Sequence, residues 1–236
     1  MFLLPSLITV GNMFCGYASI MYAMRGDLVL AAPFIGVAIV LDMLDGRIAR
    51  LTGTTSAFGL QLDSLADVIS FGLAPALLAF AWGLSELGRW GWAAGFLYVT
   101  AAAMRLARFN VQTTTQVDKR YFIGMPSPPA AGVIAATVFA FPRGLTGLPQ
   151  LLAAVAVVVI PAILMVSTIR FRSFKTLNFG YQRSYLPIFF FALFVVFIAT
   201  EPQYTLLALA YTYLLSAFIG HGMTKLRTRR GVTPSA

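Results

Sequence analysis

Long apolar runs separated by short polar links govern what this chain can become. Eight of them approach the length needed to cross about 30 Å of hydrocarbon: residues 7–24, 28–42, 58–82, 90–105, 128–141, 151–167, 185–200 and 204–220. In lipid every backbone N–H and C=O must find a partner without water, which runs of this length achieve as helices. Charged residues make up 11% of the chain, against about 25% in a soluble domain, and mean hydropathy is +0.82. The expectation is an all-α integral membrane protein with about eight transmembrane helices.

Charge placement tests that number independently. With a cytoplasmic N-terminus and eight crossings, fourteen of the 17 basic residues fall in cytoplasmic segments, and only Arg25, Arg89 and Arg143 fall outside them. That is the bias the positive-inside rule demands. A multi-pass protein of the cytoplasmic membrane with both termini in the cytoplasm follows. Its net charge of +9 then lies mostly on the cytoplasmic face, where a basic residue gains about 1 kcal/mol from anionic headgroups. These residues are scattered over membrane loops without a nucleic-acid-binding module, so membrane lipids, and no nucleic acid, are the expected partners. Residues 1–222 read as one polytopic domain and 223–236 as a basic, disordered cytoplasmic tail. The start MFLLPSLITV has no basic n-region or cleavage site, so no removable signal peptide is expected. The lone cysteine, Cys15, sits in an apolar run and reads as core packing.

Four aspartates stand out against this background. Asp42, Asp45, Asp63 and Asp67 are half of the eight acidic residues, and they fall within 26 positions flanked by membrane-grade sequence. A carboxylate at the centre of a membrane helix costs about 2.5–3.5 kcal/mol on insertion scales, so four together need a compensating cation and a purpose. Residues three or four apart share a helical face, so Asp42 and Asp45 project together from the end of the second run, and Asp63 and Asp67 from the start of the third. The link 50–57 is short enough to aim all four at one point. Four carboxylates so placed cannot all stay ionised unaided. Hard divalent cations with oxygen ligands are the remedy, and Mg²⁺ prefers a few carboxylates plus substrate phosphate to a full protein cage. A pair of ions about 3.5–4 Å apart is the usual clamp on a phosphoryl group.

The residues around the aspartates suit a diphosphate. Gly46 and Gly59 remove side chains where a nucleotide would approach the backbone, and Arg50 offers forked donors one turn beyond Asp45. Small residues also serve helix packing in membranes, which is the competing account of the glycines.

Asp42-x-x-Asp45-Gly46-x-x-Ala49-Arg50, eight residues, then Gly59-x-x-x-Asp63-x-x-x-Asp67 resembles, without a departure, the signature of the CDP-alcohol phosphotransferase family of membrane enzymes. The segments LPSLITVGNMFCGYASI, MRLARFN and YFIGMPSPPAA are similar to those of its serine-using branch, the membrane CDP-diacylglycerol–serine O-phosphatidyltransferases. The resemblance implies the CDP-alcohol phosphotransferase fold and two divalent cations, Mg²⁺ or Mn²⁺. It implies that Asp42, Asp45 and Asp63 ligate one ion, that Asp45, Asp63 and Asp67 or a close variant hold the second, and that Asp67 is the general base. Gly46 and Arg50 would hold the CDP moiety of CDP-diacylglycerol, helped by Ala49, Gly59 and Ser56. On the first helix Pro5, Ser6 and Thr9 stand where the family has a P-N-x-x-T-like stretch, with Ser6 replacing the commoner Asn, and Asn12 lies close by. The implied reaction is a single displacement at the β-phosphorus by the hydroxyl of L-serine, releasing CMP at the cytoplasmic face. A homodimer is implied too.

Serine carries a carboxylate, so a site that selects it should supply a basic fork. Arg105 and Arg108 share a face at the end of the fourth run and Arg170 leaves the sixth on the same side; the hypothesis is that Arg108 or Arg170 reads the carboxylate, with Arg105 a further candidate. The competing account is topology-setting charge. Two rival functions stand beside serine transfer. One is the same chemistry on glycerol phosphate, inositol phosphate or an archaeal-type lipid. The other is divalent-cation transport, disfavoured because Asp118 and Glu201 stand alone and no second half echoes the acidic pair. Trp82, Trp90 and Trp92 read as an interfacial belt, FFFALFVVF as lipid-facing bulk, His221 as interfacial, and Pro126, Pro128 and Pro129 as shaping entry to the fifth helix.

Overall fold

The computed structural model describes residues 3–53, 56–114, 121–145, 147–167, 170–172 and 186–229. Among them eight long helices follow one another: α1 (Leu3–Met24), α2 (Leu28–Leu51), α3 (Ala57–Trp82), α4 (Arg89–Thr114), α5 (Ser127–Ala140), α6 (Leu148–Val166), α7 (Leu186–Thr200) and α8 (Pro202–Arg229). Each overlaps one of the apolar runs. Four helices, Ser6–Met24, Leu28–Leu51, Ala57–Trp82 and Leu148–Val166, are long and apolar enough to cross a membrane, and Ser127–Ala140 is a shorter apolar one. The chain is a membrane protein built on helices.

Local chemistry sets the corners near the site. Gly26 takes φ +77°, a left-handed conformation open to glycine at little cost, and Asp27 then caps α2 by accepting from the Leu30 N–H at 3.2 Å. Gly53 at φ +63° turns the chain out of α2, and Ser56 starts α3 by accepting from the Gly59 N–H at 3.0 Å. α2 continues nine residues past the apolar run 28–42, so Asp42 and Asp45 sit inside a helix rather than at its end. In these charged turns Asp45 accepts from Thr9 on α1 and Asp42 interacts with Asp67 on α3, so both carboxylates face partners on other helices.

Small residues let the helices approach closely. Ala31, Ala32, Ala38, Ala74, Ala79, Ala102, Ala130 and Ala131 are all buried, filled in by Ile35, Phe71, Leu78, Tyr98 and Ile134. Cys15 belongs to this core, as expected. At Gly16 an added Cβ would lie 2.7 Å from the Ser70 Cα, so α1 and α3 touch backbone to backbone there. α7 instead leaves Leu193, Val195, Val196 and Phe197 exposed, which suits lipid.

Two features depart from the sequence reading. Trp82 is buried and donates its indole N–H to the Phe141 carbonyl at 2.7 Å, so it joins α3 to the end of α5, while Trp90 and Trp92 remain exposed. A short antiparallel pairing also interrupts the all-helical pattern: β1 (Tyr121–Ile123) runs against β2 (Arg170–Arg172), with Ile123 opposite Arg170. Gly124 follows at φ +86°, and a Cβ on it would strike the Met165 carbonyl oxygen. The Met125 N–H then bonds the Leu164 carbonyl at 2.9 Å, fastening the entry of α5 to the end of α6. Gly124→Ala is therefore expected to cost at least about 1–2 kcal/mol and to lower Tm in detergent by roughly 2–8 °C. A thermal unfolding curve checks this.

Candidate metal and substrate site

α2 and α3 bring the acidic residues together as their spacing requires. One carboxylate oxygen from each of Asp42, Asp63 and Asp67 lies within 4.8 Å of the others, a grouping able to hold a metal ion. Asp42 and Asp67 are within hydrogen-bonding reach of each other. Asp45 stands beside this trio, interacting electrostatically with Asp42 and Asp63, and one of its oxygens accepts from the Thr9 hydroxyl at 3.0 Å. Asp45 and Asp67 are almost wholly buried, at 4% and 8% exposed. Thr9 thus belongs to the site as the partner that orients a carboxylate.

The donor set fits a hard divalent cation. Asp63 Oδ1 and Asp67 Oδ1 are buried without a hydrogen-bond partner among the described residues. Leaving a buried charged oxygen unpaired costs several kcal/mol, so these atoms call for a cation between them. Among the described residues, two guanidinium groups face the four carboxylates, Arg105 near Asp42 and Asp67 and Arg50 near Asp45. The imbalance is negative and local.

The proposed nucleotide residues flank the acidic group. Gly46 offers its backbone N–H to Asp45, and an added Cβ there would come into ordinary contact with the Arg50 guanidinium at 3.5 Å, so the two lie side by side. Ala49 is half-buried and Arg50 exposed. Ser56 caps α3, and a Cβ on Gly59 would lie 3.1 Å from its hydroxyl, so this pair has a structural task at the mouth of the site. On α1, Ser6 is half-buried, while Asn12 is fully buried with neither side-chain atom partnered. The side chain of Pro5 lies outside the described residues.

Of the three basic candidates, Arg105 reaches the cluster. Its Nη1 donates to Ser127 Oγ at 2.8 Å, and its guanidinium interacts electrostatically with Asp67, Tyr213 and Asp42. Arg108 is half-buried one turn further along α4. Arg170 is placed by its backbone in β2, and its side chain lies outside the described residues.

Three features escaped the sequence reading. Directly after Asp67, residues Val68–Leu73 wind as a π-helix, a widened turn that occurs often at functional sites. Ser70 in that turn donates to the Asn12 carbonyl at 3.0 Å, locking α1 against it. Asn110 Nδ2 donates to Ser64 Oγ at 2.9 Å, tying the end of α4 to α3 between Asp63 and Asp67. Ser127 and Tyr213 converge on Arg105 from α5 and α8. Only the IGMPSPP segment hinted at Ser127; nothing pointed to Tyr213.

The family model for CDP-alcohol phosphatidyltransferase matches residues 2–169. The chain is 40% identical over 201 residues, 83% of both proteins, to a CDP-diacylglycerol–serine O-phosphatidyltransferase of Helicobacter pylori. It is 36% identical to an archaetidylserine synthase of Methanothermobacter thermautotrophicus, across 71% of this chain and 69% of the relative. A Bacillus subtilis protein bearing the same name as the Helicobacter one is 36% identical across 53% of this chain and 69% of the relative. The family-model match takes in all four aspartates, and the chain belongs to the CDP-alcohol phosphatidyltransferase family.

Proposed function

We propose that the protein transfers the phosphatidyl group of CDP-diacylglycerol to L-serine, giving phosphatidylserine and CMP. The observation that carries this reading is the acidic cluster with its orphaned carboxylate oxygens, in a chain 40% identical to a serine phosphatidyltransferase. Asp42, Asp45, Asp63 and Asp67 would hold two divalent cations, Mg²⁺ or Mn²⁺. When bound, such ions neutralise the diphosphate and the charge that builds on departing CMP.

The protein's own groups perform the remaining tasks. Gly46, Ala49 and Arg50 at the end of α2, with Ser56 and Gly59 opposite, border the diphosphate and cytidine; Pro5, Ser6, Thr9 and Asn12 bound the same space from α1. Asp67 takes the proton from the serine hydroxyl, a transfer worth about 10²–10⁴-fold in rate. The serine oxygen bonds to the β-phosphorus, the bond from that phosphorus to the CMP oxygen breaks, and CMP leaves with the electron pair. An arginine among Arg105, Arg108 and Arg170 reads the serine carboxylate. The framework is one polytopic domain over 1–222 with a cytoplasmic tail at 223–236. It crosses the cytoplasmic membrane eight times with both termini inside, works as a homodimer, and has membrane lipids rather than nucleic acid around it.

An acceptor panel tests the reading. CMP release from CDP-diacylglycerol is expected with L-serine and not with glycerol phosphate or inositol phosphate. Activity confined to a phosphorylated polyol would overturn serine as acceptor. A CDP-archaeol arm separates the two lipid classes that the relatives' names specify.

A further inference from the structure

Arg105 on α4 is the point where residues from four other helices converge beside the acidic cluster. Its guanidinium is pinned by Ser127 Oγ at 2.8 Å, at the start of α5, and faces Asp42 on α2, Asp67 on α3 and the Tyr213 hydroxyl on α8. Ser127 is fully buried, and its position is set by the β1–β2 pairing and the Gly124 turn that precede it. Tyr213 is half-buried and adjoins buried Leu214; two positions earlier, Tyr211 Oη lies 3.1 Å from Thr137 Oγ1 and fastens α8 to α5. α8 lies beyond residues 2–169, the part matched by the family model.

The guanidinium hydrogen-bonds Ser127 and, among the described residues, neither carboxylate, although it interacts with both through space. It carries five N–H donors in a fixed plane, and Ser127 occupies one of its nitrogens. Half-buried Arg105 thus keeps most of its fork without a protein acceptor among the described residues, while interacting through space with Asp67. An uncommitted fork beside a general base suits a small molecule with an anionic end for the one and a hydroxyl for the other.

We propose that Arg105, Ser127 and Tyr213 form the acceptor-recognition station, with Arg105 binding the acceptor's carboxylate and Ser127 and Tyr213 as positioning residues that fix its guanidinium relative to Asp67. This rests on the serine-transfer reading and goes beyond it in two respects. It selects Arg105 over Arg108 and Arg170, and it makes the last helix part of the acceptor site.

Steady-state kinetics on the purified full-length protein test it, with L-serine and CDP-diacylglycerol varied separately. Tyr213→Phe and Ser127→Ala are expected to raise the serine KM about tenfold, while kcat and the CDP-diacylglycerol KM stay within about threefold. Arg105→Lys is expected to lose at least about 100-fold in kcat/KM for serine, since an ammonium cannot replace the planar fork. Tyr211→Phe, which removes the other tyrosine hydroxyl of the same helix, should leave the serine KM unchanged. A serine KM that stays flat in both Tyr213→Phe and Ser127→Ala, or rises equally in Tyr211→Phe, overturns the inference while serine transfer stands. Wild-type protein without serine-dependent CMP release would instead sink the functional reading itself.

Discussion

Asp67→Asn is expected to lower CMP release by roughly 10²–10⁴-fold while CDP-diacylglycerol still binds. The substitution keeps the shape of a residue that is 8% exposed, so packing at the π-helical turn that follows it should survive. What changes is the ability to accept a proton from the acceptor hydroxyl, together with one negative charge beside Asp42 and Asp63. Asp67 has an unpartnered buried oxygen, as a base awaiting a proton or a ligand awaiting a cation must. Measuring lipid binding and single-turnover CMP release on the same preparation separates these roles from misfolding. Near wild-type turnover would exclude Asp67 as the base.

Stripping divalent cations should abolish turnover altogether, and adding back Mg²⁺ or Mn²⁺ should restore it. Among the described residues the acidic group sets four carboxylates against two facing arginines, so seating the diphosphate of the donor lipid there calls for added positive charge. Asp63→Asn should raise the metal concentration for half-maximal activity by more than tenfold. Thr9→Val should shift it too, by roughly 10–100-fold, because Thr9 orients Asp45 and partners of this kind tune ligand geometry. Titrating activity against each metal in the two variants checks both. Full activity of the wild type in excess chelator would show that the cluster serves another purpose.

Much of this site was legible in the sequence for plain geometric reasons. Spacings of three and four put Asp42 with Asp45 and Asp63 with Asp67 on shared helical faces, and a link closed by Gly53 and Ser56 folds one pair toward the other. The helices were legible because apolar runs in lipid have few alternatives. Helix ends were less so. α2 runs on to Leu51, since hydropathy marks where lipid-compatible sequence stops and not where a helix with partners for its charges stops. Trp82 misled because an aromatic at the end of an apolar run looks the same whether it meets headgroups or, as here, the Phe141 carbonyl.

Contacts between distant segments escaped for a different reason. Arg105 and Ser127 are 22 positions apart, and Asn110 and Ser64 are 46 apart, with no local period linking them. The π-helical turn after Asp67 is fixed by the fit of Gly16 and Asn12 on α1 against Ser70, which is a tertiary constraint. Sequence therefore located the carboxylates and offered Arg105 as one of three basic candidates, but not its contacts with Ser127 and Tyr213.

Serine transfer is tested most directly by product stoichiometry. Purified protein given CDP-diacylglycerol, labelled L-serine and Mg²⁺ or Mn²⁺ should form CMP and labelled phosphatidylserine in equal amounts, with neither product appearing when serine is withheld. CMP released without label entering lipid, or label entering lipid only from a different acceptor, would contradict it.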